Sequence, residues 1–124
     1  MPDQKHMQAQ KLQSLKPLNL AEINREFRII AAENSWQAYH TPKNLASAVA
    51  VEASELLAEF QWLGDKESAC LNAEKTSRVA DEMADIVMYL TELSMQLNID
   101  LADALQAKIE KNKLRFKKPI LRSY

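Results

Sequence analysis

The sequence predicts an all-α protein, organised as a four-helix bundle-like subunit. Its 124 residues contain one glycine and four prolines, too few for the many tight turns of a β-sheet protein. Apolar residues recur at helical spacing in four segments, and short polar stretches separate these segments. This length fits one domain with a modest core, and so small a unit can leave an apolar face for a partner subunit.

The composition argues against several classes of function. The net charge of −1 gives no electrostatic reason to expect nucleic-acid binding, although residues 108–118 are locally basic. The single cysteine, Cys70, rules out an internal disulfide and a cysteine metal cluster, and it suits a reducing compartment. No apolar run has the length of a signal peptide or a membrane span. We therefore expect a cytoplasmic protein without a membrane partner.

The chain begins with a polar stretch that lacks helical periodicity. Residues 1–18 are predicted to form a flexible arm, and residues 19–118 the all-α domain. Asn19 is a candidate N-cap for a first helix that runs from Leu20 to about Asn34. The side chains predicted to point inward are Leu20, Ile23, Phe27 and Ile30 or Ala31.

A second helix is predicted from Pro42 to Leu63. Thr41 can cap its start with Pro42 at the first helical position, and Gly64 is a candidate residue just past its end. Its apolar stripe consists of Leu45, Val49, Ala53 or Leu56, and Phe60, with Ala48 beside it.

Two further helices complete the predicted bundle. A polar link, residues 65–73, precedes a third helix from Glu74 to Leu97, and Asn98 is its predicted stop. Asp100 can cap a fourth helix that runs to about Phe116, and Pro119 closes it before a tail, residues 119–124. The third helix has the apolar stripe Val79, Met83, Ile86, Leu90, Leu93 and Leu97. The inward stripe of the fourth is Leu101, Leu105, Lys108 or Ile109, Asn112 and Phe116.

Two acidic pairs, Glu52/Glu55 and Glu82/Asp85, are the main chemical signal. Each has i, i+3 spacing, which places both carboxylates on one side of a helix, where like charges repel. Pairs of this kind are common on solvated helix faces. Glu52, however, falls inside an apolar stripe, where a charge is rarely left without a partner. Two such pairs brought together predict a cleft that binds a cation.

Carboxylate ligands alone favour a hard cation, Mg²⁺ with Mn²⁺ as the alternative, over zinc. A di-iron bundle would place Glu-x-x-His on two helices, and neither acidic pair has a histidine at i+3. Mg²⁺ usually shares its ligand shell with substrate phosphates, so a polyphosphate is the expected ligand. With one glycine in the chain, a glycine-rich phosphate loop is excluded.

Other polar and aromatic residues have two interpretations each. The residues Lys108, Lys111, Asn112 and Arg115 either contact phosphates or are ordinary surface and capping residues. The aromatic residues Trp36, Tyr39, His40, Trp62 and Tyr89 are either core and interface residues or a surface on which a nucleobase stacks.

The stretches 31–62 and 81–90 resemble the MazG-like all-α nucleoside triphosphate pyrophosphohydrolases, and especially the small dCTP pyrophosphatase branch. Glu-x-x-Glu followed by Glu-x-x-Asp on the next long helix carries the resemblance, together with the Trp-x-x-x-His and Phe-Gln-Trp segments. It covers about residues 20–118. The resemblance implies that Glu52, Glu55, Glu82 and Asp85 bind metal and carry the catalysis.

The same resemblance implies the substrate contacts and the assembly. Base and sugar contacts are implied for the residues Trp36, Gln37, Tyr39, His40, Trp62 and Tyr89. Phe27 stands where the most similar relatives carry a histidine, which bears on base preference. The resemblance also implies a tight helical dimer, often paired into a tetramer, with a site built across subunits.

The expected activity is Mg²⁺-dependent hydrolysis of a (deoxy)nucleoside triphosphate, dCTP or a related compound, to the monophosphate and pyrophosphate. One alternative is a helical interaction module without enzymatic activity, whose acidic faces bind a basic partner. Another is a hydrolase of a modified nucleotide or of a nucleoside diphosphate.

Overall fold

The computed structural model describes residues 4–117, and within them it contains helices and no strand. The elements are α1 (Gln4–Ser14), α2 (Leu20–Glu33), a 3₁₀ turn (Gln37–Tyr39), α3 (Pro42–Ala58), α4 (Asp65–Ser68), α5 (Ala73–Gln96) and α6 (Leu101–Arg115). The predicted all-α class is confirmed. The four predicted helices correspond to α2, α3, α5 and α6, whereas α1 and the single turn of α4 were not predicted.

Side-chain caps fix where the long helices begin. In each case a side-chain oxygen accepts a hydrogen bond from the backbone N–H three residues later, at 2.8 to 3.2 Å. The capping residues are Asn19, Thr41, Asn72 and Asp100. Three of these caps confirm the prediction, and Asn72 is an addition that starts α5 at Ala73.

The end of α3 differs from the prediction. The helix stops at Ala58, and N–H groups of the next residues bond to carbonyls only three residues back, which tightens the chain into turns. Lys75 donates its ammonium to the free carbonyl of Glu59 at 2.8 Å, so the helix end is satisfied without a left-handed glycine. Gly64 instead has extended backbone (φ −75°, ψ 170°) and precedes α4, so its predicted role past the end of the helix was wrong.

The ends of α2 and α5 share one arrangement. Ser35 (φ 58°) and Asn98 (φ 55°) adopt the left-handed conformation just past each helix. The next residue then donates its N–H back over the last turn, from Trp36 to the Ala31 carbonyl and from Ile99 to the Ser94 carbonyl, each at 2.8 Å. The predicted stop at Asn98 is confirmed, because asparagine tolerates this conformation.

The three central helices pack around a small core. α5 lies antiparallel against α3, because the start of α5 meets the end of α3. α5 also contacts α2. Among the described residues, the buried apolar side chains are Phe27, Ala31 and Leu45. Three buried residues are polar: Asn24, Thr91 and Glu92. The interface of α2 with α5 therefore contains a polar centre that the apolar stripes did not predict.

Several side chains predicted to point inward are exposed in the single chain. They are Ile30, Ala53, Met83, Leu97, Leu105, Lys108, Ile109 and Phe116. Half of these lie on α6 or just past its end, and within the described residues α6 packs far less against the other helices than α2, α3 and α5 do; Phe116 is 67% exposed. One chain buries too little of this surface to make it a core. The inward orientation predicted for the fourth helix is thus wrong for most of its stripe in the isolated subunit, whereas Leu101 and Asn112 are half-buried.

Residues 4–14 of the N-terminal arm form a helix, which the composition did not predict, yet all residues of α1 are exposed. Its predicted flexibility and the division into arm, domain and tail stay predictions. Pro119 and the tail at 119–124 lie outside the described residues. No helix within residues 4–117 is long and apolar enough to cross a membrane.

Candidate active site

Three carboxylates from two helices converge between α3 and α5. Glu52 comes from α3, and Glu82 and Asp85 come from adjacent turns of α5. One oxygen of each lies within 4.8 Å of the others. The antiparallel packing of the two helices and the i, i+3 spacing on α5 together produce this geometry. The structure thus brings together three of the four acidic residues that the sequence singled out, while Glu55 lies beside them with an exposed side chain.

The cluster is electrostatically strained. The pKa of Glu52 is raised to about 7, first by a hydrogen bond shared with Glu82, then by burial and by the charges of Glu55, Glu82 and Asp85. Burial, followed by the charges of Asp81 and Glu55, raises the pKa of Asp85 above its ordinary value. Burial and the neighbouring carboxylates therefore make ionisation of Glu52 and Asp85 more costly.

The chemistry of these groups fits a divalent cation. Among the described side chains, Glu82 Oε2 is a buried oxygen without any hydrogen-bond donor. A buried carboxylate oxygen is costly to leave unpaired, and a cation would satisfy it. All available ligands are carboxylate oxygens, which suit hard ions such as Mg²⁺ or Mn²⁺.

Four rings form an aromatic cluster beside the carboxylates: Phe27, Trp36, His40 and Tyr89. The rings of Phe27 and His40 stack with centroids 5.4 Å apart, and Tyr89 meets both edge-on, at 5.7 Å and 6.3 Å. Trp36 completes the cluster at 6.2 Å from His40. Burial raises the pKa of Tyr89, and the charges of Glu52, Asp85 and Glu55 add to this shift, so the phenol lies close to the acidic groups.

Two predicted aromatic contacts lie apart from this cluster in the single chain. Trp62 is 87% exposed in the turn after α3, and Tyr39 is 71% exposed. Gln37, in contrast, lines a cavity of about 250 Å³ together with His40 and Phe27. The segment from Trp36 to His40 therefore contributes some of its predicted residues to the site and directs others to solvent.

The predicted phosphate contacts on α6 do not reach the carboxylates within one chain. Lys108, Lys111 and Arg115 are exposed, and Asn112 is half-buried. The Arg115 guanidinium lies over the ring of its neighbour Phe116, 5.1 Å from the centroid. Within residues 4–117, no hydrogen bond or ion pair joins these four residues to the acidic cluster.

A buried carboxylate on α5, Glu92, was missed by the sequence analysis. Arg28 Nε donates to Glu92 Oε1 at 2.6 Å, Asn24 Nδ2 donates to the same oxygen at 3.3 Å, and Gln96 Nε2 lies 3.5 Å from Oε2. Burial acts to raise the pKa of Glu92, but the hydrogen bonds from Arg28 and Asn24 outweigh it and leave this pKa below its ordinary value. Spacing was the available signal, since Glu82, Asp85, Tyr89, Glu92 and Gln96 recur every three or four residues on one face of α5.

Glu59, an acidic residue outside the converging carboxylates, links the end of α3 to the start of α5 through ion pairs. Arg78 Nε donates to Glu59 Oε1 at 3.0 Å, and the Lys75 ammonium lies 3.7 Å from Oε2. The hydrogen bond from Arg78 is the largest cause of a lowered Glu59 pKa. Glu59 and Arg78 each lie one turn from a carboxylate of the site, Glu55 and Glu82 respectively. This ion pair therefore helps to set the register of the two helices that carry the site.

The chain is similar in sequence to known proteins. A sequence profile of the MazG-like family matches residues 48–119. The chain is 33% identical over 106 residues to a human protein named dCTP pyrophosphatase 1, covering 84% of this chain and 62% of that protein. A bovine protein of the same name is 32% identical over 99 residues, covering 78% of this chain and 59% of the relative.

A solved structure is also similar. It is the crystal structure of a pyrophosphatase from Archaeoglobus fulgidus, with a TM-score of 0.74 and 31% identity. The match covers 84% of this chain and 97% of the archaeal chain. By contrast, the matched region spans only about three fifths of the length of the curated mammalian relatives.

Proposed function

Because this chain belongs to the MazG-like family, we propose that it hydrolyses nucleoside triphosphates to the monophosphate and pyrophosphate. The proposed substrate is dCTP or a related deoxynucleoside triphosphate, in line with the names of the mammalian relatives. One observation carries the proposal: Glu52, Glu82 and Asp85 converge within 4.8 Å beside an aromatic cluster. Such a site offers a cation position for phosphates and flat surfaces for a base.

Glu52, Glu82 and Asp85 would hold the divalent cation, Mg²⁺ with Mn²⁺ as the alternative. When bound, this ion would neutralise phosphate charge and polarise the phosphorus–oxygen bonds of the substrate. The raised pKa of Glu52 has a direct consequence, because its carboxyl must lose its proton before it can act as a ligand.

Glu55 is the residue we propose as proton acceptor. Its side chain is exposed and stands outside the converging trio, so it can contact water. A water molecule attacks the α-phosphorus and gives up a proton to Glu55, while the bond from this phosphorus to the bridging oxygen breaks. Pyrophosphate leaves with the electrons of that bond, and the nucleoside monophosphate remains.

The aromatic cluster is the proposed binding surface for the nucleoside. Trp36, His40 and Tyr89 present ring faces and edges, the buried Phe27 ring stacks on His40, and Gln37 adds an amide that can bond to a base. Stacking is tolerant of base identity, so the polar groups at its border would set the preference among bases.

We also propose a homo-oligomer, a dimer or a tetramer built as a dimer of dimers. Its support is the apolar surface that one chain leaves open on α6, together with the exposed side chains of Tyr39 and Trp62. Lys108, Lys111, Asn112 and Arg115 would then contact the phosphates of a substrate in a neighbouring subunit's site. Light scattering coupled to size exclusion tests this assembly, and a monomer at assay concentration would contradict it.

Product analysis on a panel of triphosphates tests the reaction. We expect purified protein with Mg²⁺ to release pyrophosphate and the monophosphate from dCTP. Release of orthophosphate in place of pyrophosphate would reject the reaction type. Turnover confined to modified nucleotides or to a diphosphate would show that the substrate belongs to that class instead. The absence of both turnover and a thermal shift with dCTP would favour an interaction module.

A further inference from the structure

Gln96 at the end of α5 is bonded to the loop that carries His40. Its Nε2 donates to the backbone carbonyl of His40 at 2.6 Å, and the two residues are 56 positions apart in the chain. His40 is the last residue before the cap of α3, and its ring stacks on Phe27 and meets Tyr89 edge-on. The amide of Gln96 therefore holds the backbone of a ring that belongs to the aromatic cluster.

The orientation of this amide is set by Glu92. Glu92 is 5% exposed, and its Oε2 lies 3.5 Å from Gln96 Nε2 while Oε1 accepts from Arg28 and Asn24. A carboxylate is only an acceptor, and so is a backbone carbonyl. The amide nitrogen of Gln96, with its two hydrogens, is the group that suits both neighbours at once. Arg28 and Asn24 in turn keep the carboxylate in place.

This polar chain borders the cavity of about 250 Å³ next to the stacked rings. Arg28, Glu92 and Gln96 line it together with Phe27, Gln37 and His40. None of the three polar residues belongs to the converging carboxylates Glu52, Glu82 and Asp85. A change in this chain should thus alter the aromatic cluster and leave the carboxylate geometry in place.

We infer that the chain of contacts from Arg28 through Glu92 and Gln96 to His40 positions the His40 ring for nucleobase binding. The inference rests on the proposed function. Arg28, Glu92 and Gln96 are positioning residues, since they act on the substrate through His40. Two consequences follow: Gln96 governs the affinity for the base, and it has little influence on the attack at phosphorus.

Steady-state kinetics of Gln96→Ala with Mg²⁺ test the inference, with dCTP compared to ribose 5-triphosphate, which lacks a base. Loss of one hydrogen bond should raise the KM for dCTP about tenfold, with kcat within about threefold of wild type. The KM for ribose 5-triphosphate should stay unchanged. Gln96→Glu, of equal size but without the donor, should raise the KM for dCTP further, because its carboxylate faces both Glu92 and the His40 carbonyl.

Gln10→Ala is the matched control, because it removes an exposed glutamine amide from α1, far along the chain from the site. Should Gln96→Ala be poorly folded by circular dichroism, Arg28→Lys provides the test, since it keeps a positive charge beside the buried Glu92 and removes the Nε donor at the start of the same chain of contacts. It should raise the KM for dCTP by a smaller factor, again without effect on ribose 5-triphosphate.

Equal KM values for wild type and a folded Gln96→Ala would overturn the inference. So would an equal rise in KM for both substrates, or a loss confined to kcat, because those patterns indicate a general structural effect. A wild-type protein that releases no pyrophosphate from any nucleoside triphosphate would overturn the proposed function and the inference with it.

Discussion

Two groups of carboxylates on the same face of α5 have opposite surroundings. Glu92 is buried among nitrogen donors from Arg28, Asn24 and Gln96. Glu82 and Asp85, two to three turns earlier, face Glu52, and Glu82 Oε2 has no hydrogen-bond donor among residues 4–117. The pKa shifts follow this contrast, since the pKa of Glu92 is lowered while those of Glu52 and Asp85 are raised.

The difference separates a structural carboxylate from a ligand-binding one. Folding satisfies Glu92 with groups of the protein itself, so its charge is compatible with burial. Glu82 Oε2 lacks such a donor within the described chain, and a cation from solution would stabilise the converging carboxylates. Each of the following predictions tests this contrast.

The largest expected effect is on catalysis. Glu52→Gln and Asp85→Asn should each lower Mg²⁺-dependent turnover by a factor on the order of 10² or more. Each variant loses a negative charge that would hold the cation, and this cation would neutralise the substrate phosphates. Mg²⁺ with dCTP at 100 times its Kd should stabilise the wild type by about 2.7 kcal/mol and these variants by less.

Pyrophosphate release and thermal unfolding measure the two effects. Glu52→Gln without metal should be at least as stable as wild type, because it removes repulsion from the cluster. Full activity in either variant would contradict the assignment of these carboxylates to the site.

The next effect concerns stability. Glu92→Gln should lower the free energy of unfolding by about 2 kcal/mol, since it weakens charge-assisted hydrogen bonds that are buried between α2 and α5. Urea unfolding followed by circular dichroism measures this change. A Glu92→Gln variant as stable as wild type would contradict a structural role for Glu92 and its contrast with the converging carboxylates.

The two groups should also respond to pH in opposite directions. The folded-state pKa of Glu52, about 7, lies above its ordinary value of 4.5, so its contribution to stability is complete below about 4.5 and is lost as pH rises through 7. Glu92 has a lowered pKa, so its contribution is present above its ordinary value and is lost as pH falls through the folded-state value.

Urea unfolding in EDTA at about pH 5 and about pH 8 isolates the contribution of Glu52, because that of Glu92 is present at both. The free energy of unfolding of Glu52→Gln should exceed that of wild type by more at the higher pH than at the lower one. Mg²⁺ binding by the wild type should strengthen over the same interval, because deprotonation of Glu52 makes a ligand available. A stability difference independent of pH would refute the coupling between Glu52 and its neighbours.

The smallest expected effect is at the solvent-exposed ion pair between Arg78 and Glu59. Arg78→Ala removes the hydrogen bond to Glu59, but water can replace it, so stability should change less than in Glu92→Gln. Unfolding at low and high salt measures it, and the wild-type advantage should shrink as salt rises. A loss as large as that of Glu92→Gln would show that burial is not what distinguishes these ion pairs.

Local signals in the sequence were sufficient for most of the helix boundaries. Asn19, Thr41 and Asp100 act as caps because their side chains bond to backbone only three residues away, which is a short-range property. The end of α3 was missed because a side chain of α5, Lys75, satisfies it from a distance. The acidic pairs were recognisable from i, i+3 spacing, which one helix determines on its own.

The sequence by itself determined the all-α class and the acidic and aromatic residues that lie around the site, since helical periodicity and charge spacing are local. Only the tertiary structure decided that Glu52 meets Glu82 and Asp85 while Glu55 stays outside the trio, and that Glu92 is held by Arg28. These outcomes depend on the register between helices that lie far apart in the chain. The packing of all three central helices sets that register, and the sequence of one helix alone does not determine it.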